Sequence, residues 1–146
     1  GIALKRRIIE DLRPSSLDNL GLLPALEILC SEFAERLQVR MATTLAPVAL
    51  SPAAELTAFR LVQESLSNIA KHAQASQVGV TVGVQDGMAA IRVSDDGVGF
   101  DPDSPQLSRH GLAGMRFRIR SGGGQMQVES ASGRGTTIRA SLPVSD

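Results

Sequence analysis

The chain contains no tryptophan, no tyrosine and only 4 phenylalanines in 146 residues. Proteins that grip unpaired bases stack them on aromatic rings, and this chain has too few such rings for that work. Neither sign of charge is in excess: 15 Lys and Arg offset 15 Asp and Glu, for a formal net charge of +0. Without a basic surplus there is little electrostatic pull toward nucleic acid or an anionic lipid surface. No apolar run approaches the ~20 residues that cross a bilayer, and the opening GIALKRRIIEDLRP has no signal-peptide layout. The expectation is a cytoplasmic chain without direct membrane contact, one soluble domain with a sizeable core. It opens without Met and already in helical pattern, as expected of a piece cut from a longer parent, which a membrane anchor elsewhere would suit. Cys30 is the single cysteine, so an internal disulfide is impossible; within LEILCSEF it is expected to pack as a small core residue.

What is present is periodic. Ile2, Ile8, Ile9 and Leu12 predict a helix that ends near Arg13, before Pro14, and SSLDNLGLLP reads as a turn. Leu22, Leu26, Leu29, Phe33 and Leu37 form one helical stripe, and Val39, Met41, Thr43 and Leu45 alternate as a strand. Residues 53–73 carry the longest helical pattern. Val78 to Val84 and Ala89 to Val93 alternate around QDG, a hairpin signature. From Asp96 to Arg109 the sequence is aperiodic; a short helix over 111–121 ends in GGG, and residues 125–130 and 135–142 make a last hairpin. Helices alternating with paired strands predict an α/β two-layer sandwich, with a mixed, mostly antiparallel sheet and helices on one face.

Three stretches invite chemistry. On the 53–73 helix, Glu64, Asn68, Lys71 and His72 share about a third of the circumference, opposite Phe59, Val62, Leu66, Ile69, Ala70 and Ala73. A single wet face explains such a stripe, but mid-helix asparagine is a poor helix former, and a carboxylate and an amide one turn apart suit Mg²⁺. VSDDGVGF places two acids and two glycines at a strand end, where a carboxylate can accept from an exocyclic amine and Gly97 and Gly99 permit close backbone approach. RHGLAGMRFR sets Gly111 and Gly114 at a helix start, where free amides attract phosphate. Each alone is also an ordinary turn or solvated face. Walker-type and dinucleotide fingerprints are absent.

Together, LVQESLSNIAKHA, VSDDGVGFD, HGLAGMRFRI and GRGTT resemble the N, G1 and G2 boxes and the G-T motif of the ATP-binding catalytic domain of sensor histidine kinases. That domain has the Bergerat fold, within the superfamily shared with gyrase, Hsp90 and MutL. LRPSSLDNLGLLPAL resembles the junction after the second dimerisation helix in kinases serving NarL-class response regulators. The resemblance divides the chain into a tail of the phosphoacceptor helix and junction, 1–20, and the catalytic domain, 21–146.

The resemblance implies that ATP and Mg²⁺ bind, with Asn68 as metal ligand and Glu64 shaping the metal's water shell. Lys71 and His72 would approach the phosphates, Asp95 would accept the adenine amine, and Gly97 and Gly99 would let the backbone pass close to the nucleotide. Gly111, Leu112 and Gly114 would offer amides to the phosphates, and Thr137, with Thr136 as rival, would lie near the nucleotide. Asp96 is assigned no role. The γ-phosphoryl group would pass to a histidine of the dimerisation domain and on to a regulator aspartate. Neither His72 nor His110 occupies an acceptor position, so the chain is expected, as a monomer, to bind ATP without labelling itself. An anti-sigma-type serine kinase, a nucleotide-binding module without transfer and a pure scaffold are the alternatives.

Overall fold

The computed structural model describes residues 14–101 and 111–145. The expected N-terminal helix, His110 and most of the aperiodic loop lie outside them. The described elements run α1 (Ser15–Leu20), α2 (Leu22–Leu37), β1 (Arg40–Leu45), α3 (Pro52–Asn68), β2 (Gln77–Gln85), β3 (Met88–Asp95), α4 (Leu112–Ser121), β4 (Gln125–Ser130) and β5 (Thr136–Pro143). SSLDNL is thus a short helix rather than the expected turn. Pro14 accepts from the amides of Leu17 and Asp18, Leu17 is buried, and Gly21, at φ +85°, breaks the chain before α2.

The five strands are ordered β1-β2-β3-β5-β4, with β1 parallel to β2 and every other pair antiparallel. The QDG turn closes the β2–β3 hairpin with Asp86 and Gly87 both at positive φ, the geometry that matches strand twist. Alternation then sorts the sheet. Val78, Val80, Val82, Ile91, Val93, Ile138 and Leu142 point into one core with Leu26, Phe33, Leu61 and Leu66 of the helices. Thr81 and Arg92, in register on the other face, are exposed. This is the expected two-layer sandwich with helices on one face.

Cys30 is 1% exposed in that core, and desolvation pushes its thiol up to about 11, so it stays protonated and behaves as a small apolar residue.

The long helix starts where Ser51 accepts from the Ala54 amide at 3.1 Å, with Pro52 in the first turn. Its α-helical part ends at Asn68, and Ile69–Ala73 continue as a wider π-helical turn, closed by Gln74 at φ +52°. Leu66 is fully buried while Asn68, two residues on, is half-buried, so the helix does face two ways; Ala70, expected on the apolar side, is exposed. Leu66→Ala should lower unfolding free energy by about 2–5 kcal/mol in urea titrations, because both the apolar transfer and the cavity count against it.

Candidate functional site

The C-terminal part of α3, the end of β3, the start of α4 and β5 surround a small cavity that opens to solvent. Ser65, Asn68, Ile69 and His72 line one wall, the last two from the π-helical turn. Such turns often sit at functional sites. Val93 and Ile138 form an apolar floor with Leu112 and Phe100, while Asp95 and Thr136 add polar groups at the strand ends. The surroundings suit a flat, mostly apolar ring system with a hydrogen-bonding edge.

The loop after β3 is fixed by backbone geometry. At Gly99, φ +66°, a β-carbon would overlap the Ala131 carbonyl oxygen, and at Gly135, φ +74°, one would overlap the carbonyl oxygen of Asp95. Only glycine allows both approaches. The Gly133 amide donates to Val98 O at 2.6 Å, and the Phe100 amide donates to Ser130 Oγ at 2.9 Å. Ser130 Oγ is also 3.0 Å from Gly135 O and 2.7 Å from Thr136 Oγ1. One serine therefore ties the loop to the turn between β4 and β5.

The two neighbouring acids are set in opposite directions. Burial raises the Asp95 carboxyl above the ordinary aspartate range, and the nearby Asp96 charge adds to this. The amides of Gly97, which donates to Asp95 Oδ1 at 2.8 Å, and Thr136 oppose it. Asp96, fully exposed, is held below that range. It accepts from the Gln77 amide at 2.9 Å, from the Ser76 hydroxyl at 2.7 Å and from the Ser76 amide at 2.8 Å. It clasps the chain between the π-helical turn and β2.

Residues 53–146 match the family described as histidine kinase-, DNA gyrase B- and HSP90-like ATPase. The chain belongs to that family. Sensor histidine kinase LiaS of Bacillus subtilis (strain 168) is 34% identical over 139 residues, covering 95% of this chain and 39% of LiaS. The signal transduction histidine-protein kinase/phosphatase DegS of Brevibacillus brevis is 37% identical over 145 residues, 98% of this chain and 38% of DegS. The chain thus spans well under half the length of these curated relatives. Among solved structures, the Erythrobacter litoralis EL346 blue-light activated histidine kinase superposes with a TM-score of 0.69 at 22% identity, covering 82% of this chain and 40% of that one. The mycobacterial sensor histidine kinase MprB gives 0.64 at 22%, covering 82% and 93%. At that identity the likeness shows the fold alone. The chain is an ATP-binding catalytic domain of the histidine-kinase type.

Within this ATPase domain the structure gathers Asn68, His72, Asp95, Gly99 and Leu112 around the cavity. Gly97 is buried beside it, donating to Asp95. Gly111 and Gly114 lie at the start of α4, exposed, and Lys71 is exposed outside the cavity wall. Thr137 falls on the opposite face of the sheet, paired with Ser94, whereas its rival Thr136 pairs with Asp95 and lines the cavity, as the two-residue repeat of β5 requires. Glu64 does not line the cavity; its Oε1 accepts from Arg118 at 2.6 Å. Ser65, Ser130, Phe100 and the clasp of Asp96 were not indicated by any motif. A serine three residues before Asn68 and the second acid of VSDDG were the available traces.

Asp96→Asn should lower the urea midpoint at pH 7. The folded-state carboxyl sits low, so its contribution is present above the unfolded value of about 3.9 and fades as pH falls through the folded one. The gap between wild type and variant should therefore narrow toward pH 3, as midpoints measured across that range will show.

Proposed function

We propose that this domain binds ATP with Mg²⁺ in the cavity and transfers the γ-phosphoryl group to a histidine of the kinase's dimerisation domain, which then passes it to an aspartate of a NarL-class response regulator. The observation that carries the reading is the convergence of Asp95, Asn68 and Leu112 on one cavity with an apolar floor, in a chain of this family. Asp95 would accept the adenine amine while the floor covers the ring. Asn68 is the amide oxygen on the wall, and an amide donor suits Mg²⁺, which keeps several waters and takes its other ligands from phosphate. Bound there, the ion would neutralise charge on the phosphates. Glu64 would stand in the layer behind it, its carboxylate already engaged with Arg118. Lys71 and His72, at the end of the same helix, would supply positive charge or a hydrogen bond near the phosphates.

The transfer is a displacement in line: the acceptor nitrogen bonds to the γ-phosphorus as the bond to the bridging oxygen breaks, ADP leaves, and the nitrogen's proton passes to an acid beside the acceptor. That acceptor belongs to the helical hairpin to which residues 1–20 would connect. His72 stands on the cavity wall and not on an acceptor hairpin. Incubated alone with γ-labelled ATP the chain should gain no acid-labile label, and should transfer label once mixed with a helical hairpin bearing the acceptor histidine. Label on the chain itself would overturn the reading.

Asn68→Ala should abolish Mg²⁺-dependent nucleotide binding, followed by calorimetry or a fluorescent nucleotide because the chain has no tryptophan. Asp95→Asn should weaken discrimination of adenine from guanine by at least tenfold without loss of stability. The raised folded-state carboxyl contributes stability only below the unfolded value of about 3.9, and that contribution is lost as pH rises through the folded one. At pH 7 the ionised, desolvated group therefore costs the fold, and its removal should leave the urea midpoint equal or higher while adenine selectivity falls.

A further inference from the structure

Glu64 lies one helical turn before Asn68, yet its carboxylate reaches across to another element. Its Oε1 accepts from Arg118 Nη2 at 2.6 Å, and a β-carbon added to Gly111 would meet Oε2 at 3.3 Å. Gly111 caps the N-terminus of α4 at φ +67°, and the next residue, Leu112, is 1% exposed and lines the cavity. Arg118 sits two turns further along α4, and a β-carbon at Gly114 would come within 3.7 Å of its Nη1. The ion pair and the two glycines thus form one contact: the acid sits under the first turn of α4 and the guanidinium holds it there. Both side chains are partly exposed, at 36% for Glu64 and 45% for Arg118. Such a pair adds little to stability. The pair nevertheless bridges the helix that carries Asn68 and the helix that carries Leu112, which stand on either side of the cavity.

We infer that Arg118 is a positioning residue for the nucleotide's phosphates. By holding Glu64 it sets the first turn of α4 at a fixed separation from Asn68 across the cavity. The inference rests on the nucleotide reading above and adds to it a residue outside the cavity wall. Phosphate, more than adenine, is the part of the ligand that should respond, because Asp95, Val93 and Ile138 stand on β3 and β5 and only Leu112 of the floor belongs to α4.

The test measures ATP-Mg²⁺ and adenosine by competition against a fluorescent ATP analogue, for wild type, Arg118→Met, Glu64→Gln, the double variant and Arg118→Lys. Arg118→Met keeps the aliphatic stem and removes the charge. It should raise the ATP Kd by about fivefold, in line with an exposed ion pair, and shift the adenosine Kd by much less. The double variant should lose no more than the worse single variant, since both changes break one contact. Arg118→Lys should recover part of the loss. Equal losses for adenosine and ATP, an unaltered ATP Kd, or losses that add in the double variant would each overturn the inference. A wild-type chain that binds adenosine but gains nothing from the triphosphate would also overturn it, and one that binds neither ligand at millimolar concentration would remove the nucleotide reading along with it.

Discussion

The position of every polar group at the strand ends depends on one close passage of backbone. The loop leaving β3 lies against the turn between β4 and β5 so tightly that neither Gly99 nor Gly135 has room for a β-carbon. The Gly133 amide and Ser130 hydroxyl then lock the two strands of chain together. Asp95 gains its direction from this passage: its carbonyl is pressed by Gly135, its carboxylate is met by the Gly97 amide, and Thr136 stands opposite it in register. Without the passage the acid would be one more residue of a solvated turn.

The neighbouring pair Asp95 and Asp96 divides two tasks that work against each other. Asp95 is left partly desolvated, a state that costs the fold although the amides of Gly97 and Thr136 meet its carboxylate. Asp96 takes three hydrogen bonds from Ser76 and Gln77 and so fastens the end of the long helix to the sheet. One acid is held at a cost to the fold while its neighbour steadies the frame around it. Their titrations therefore run in opposite senses, although the residue type is the same and the positions are adjacent.

How much was legible in advance followed from how local each feature is. The alternation of Val78 to Val84 and of Ala89 to Val93, the stripe from Leu22 to Leu37 and the Asp86–Gly87 turn are short-range patterns, and each became the element it predicts. The convergence of Asn68 and Asp95 was reachable through a family resemblance, because their motifs are contiguous even though the residues meet only in space. The partner of Glu64 was not, since Arg118 is 54 residues away and no periodicity joins them. Which of Thr136 and Thr137 faces the cavity follows from the register of β5 on β3, which a single strand's pattern leaves undetermined. The short helix at Ser15 was hidden because serine and asparagine favour turns, and burial of Leu17 outweighed that preference.

The wide turn at Ile69–Ala73 has a consequence for how this segment can vary. A π-helical turn takes up more residues per revolution than the α-helix before it, so the stretch carries a surplus of one. Deleting one residue within it would wind the segment back to ordinary pitch and leave both Asn68 and the chain beyond in register, the surplus being absorbed inside the turn itself. Because buried Ile69 and wall-lining His72 both belong to the turn, its residue count decides which side chains the wall presents.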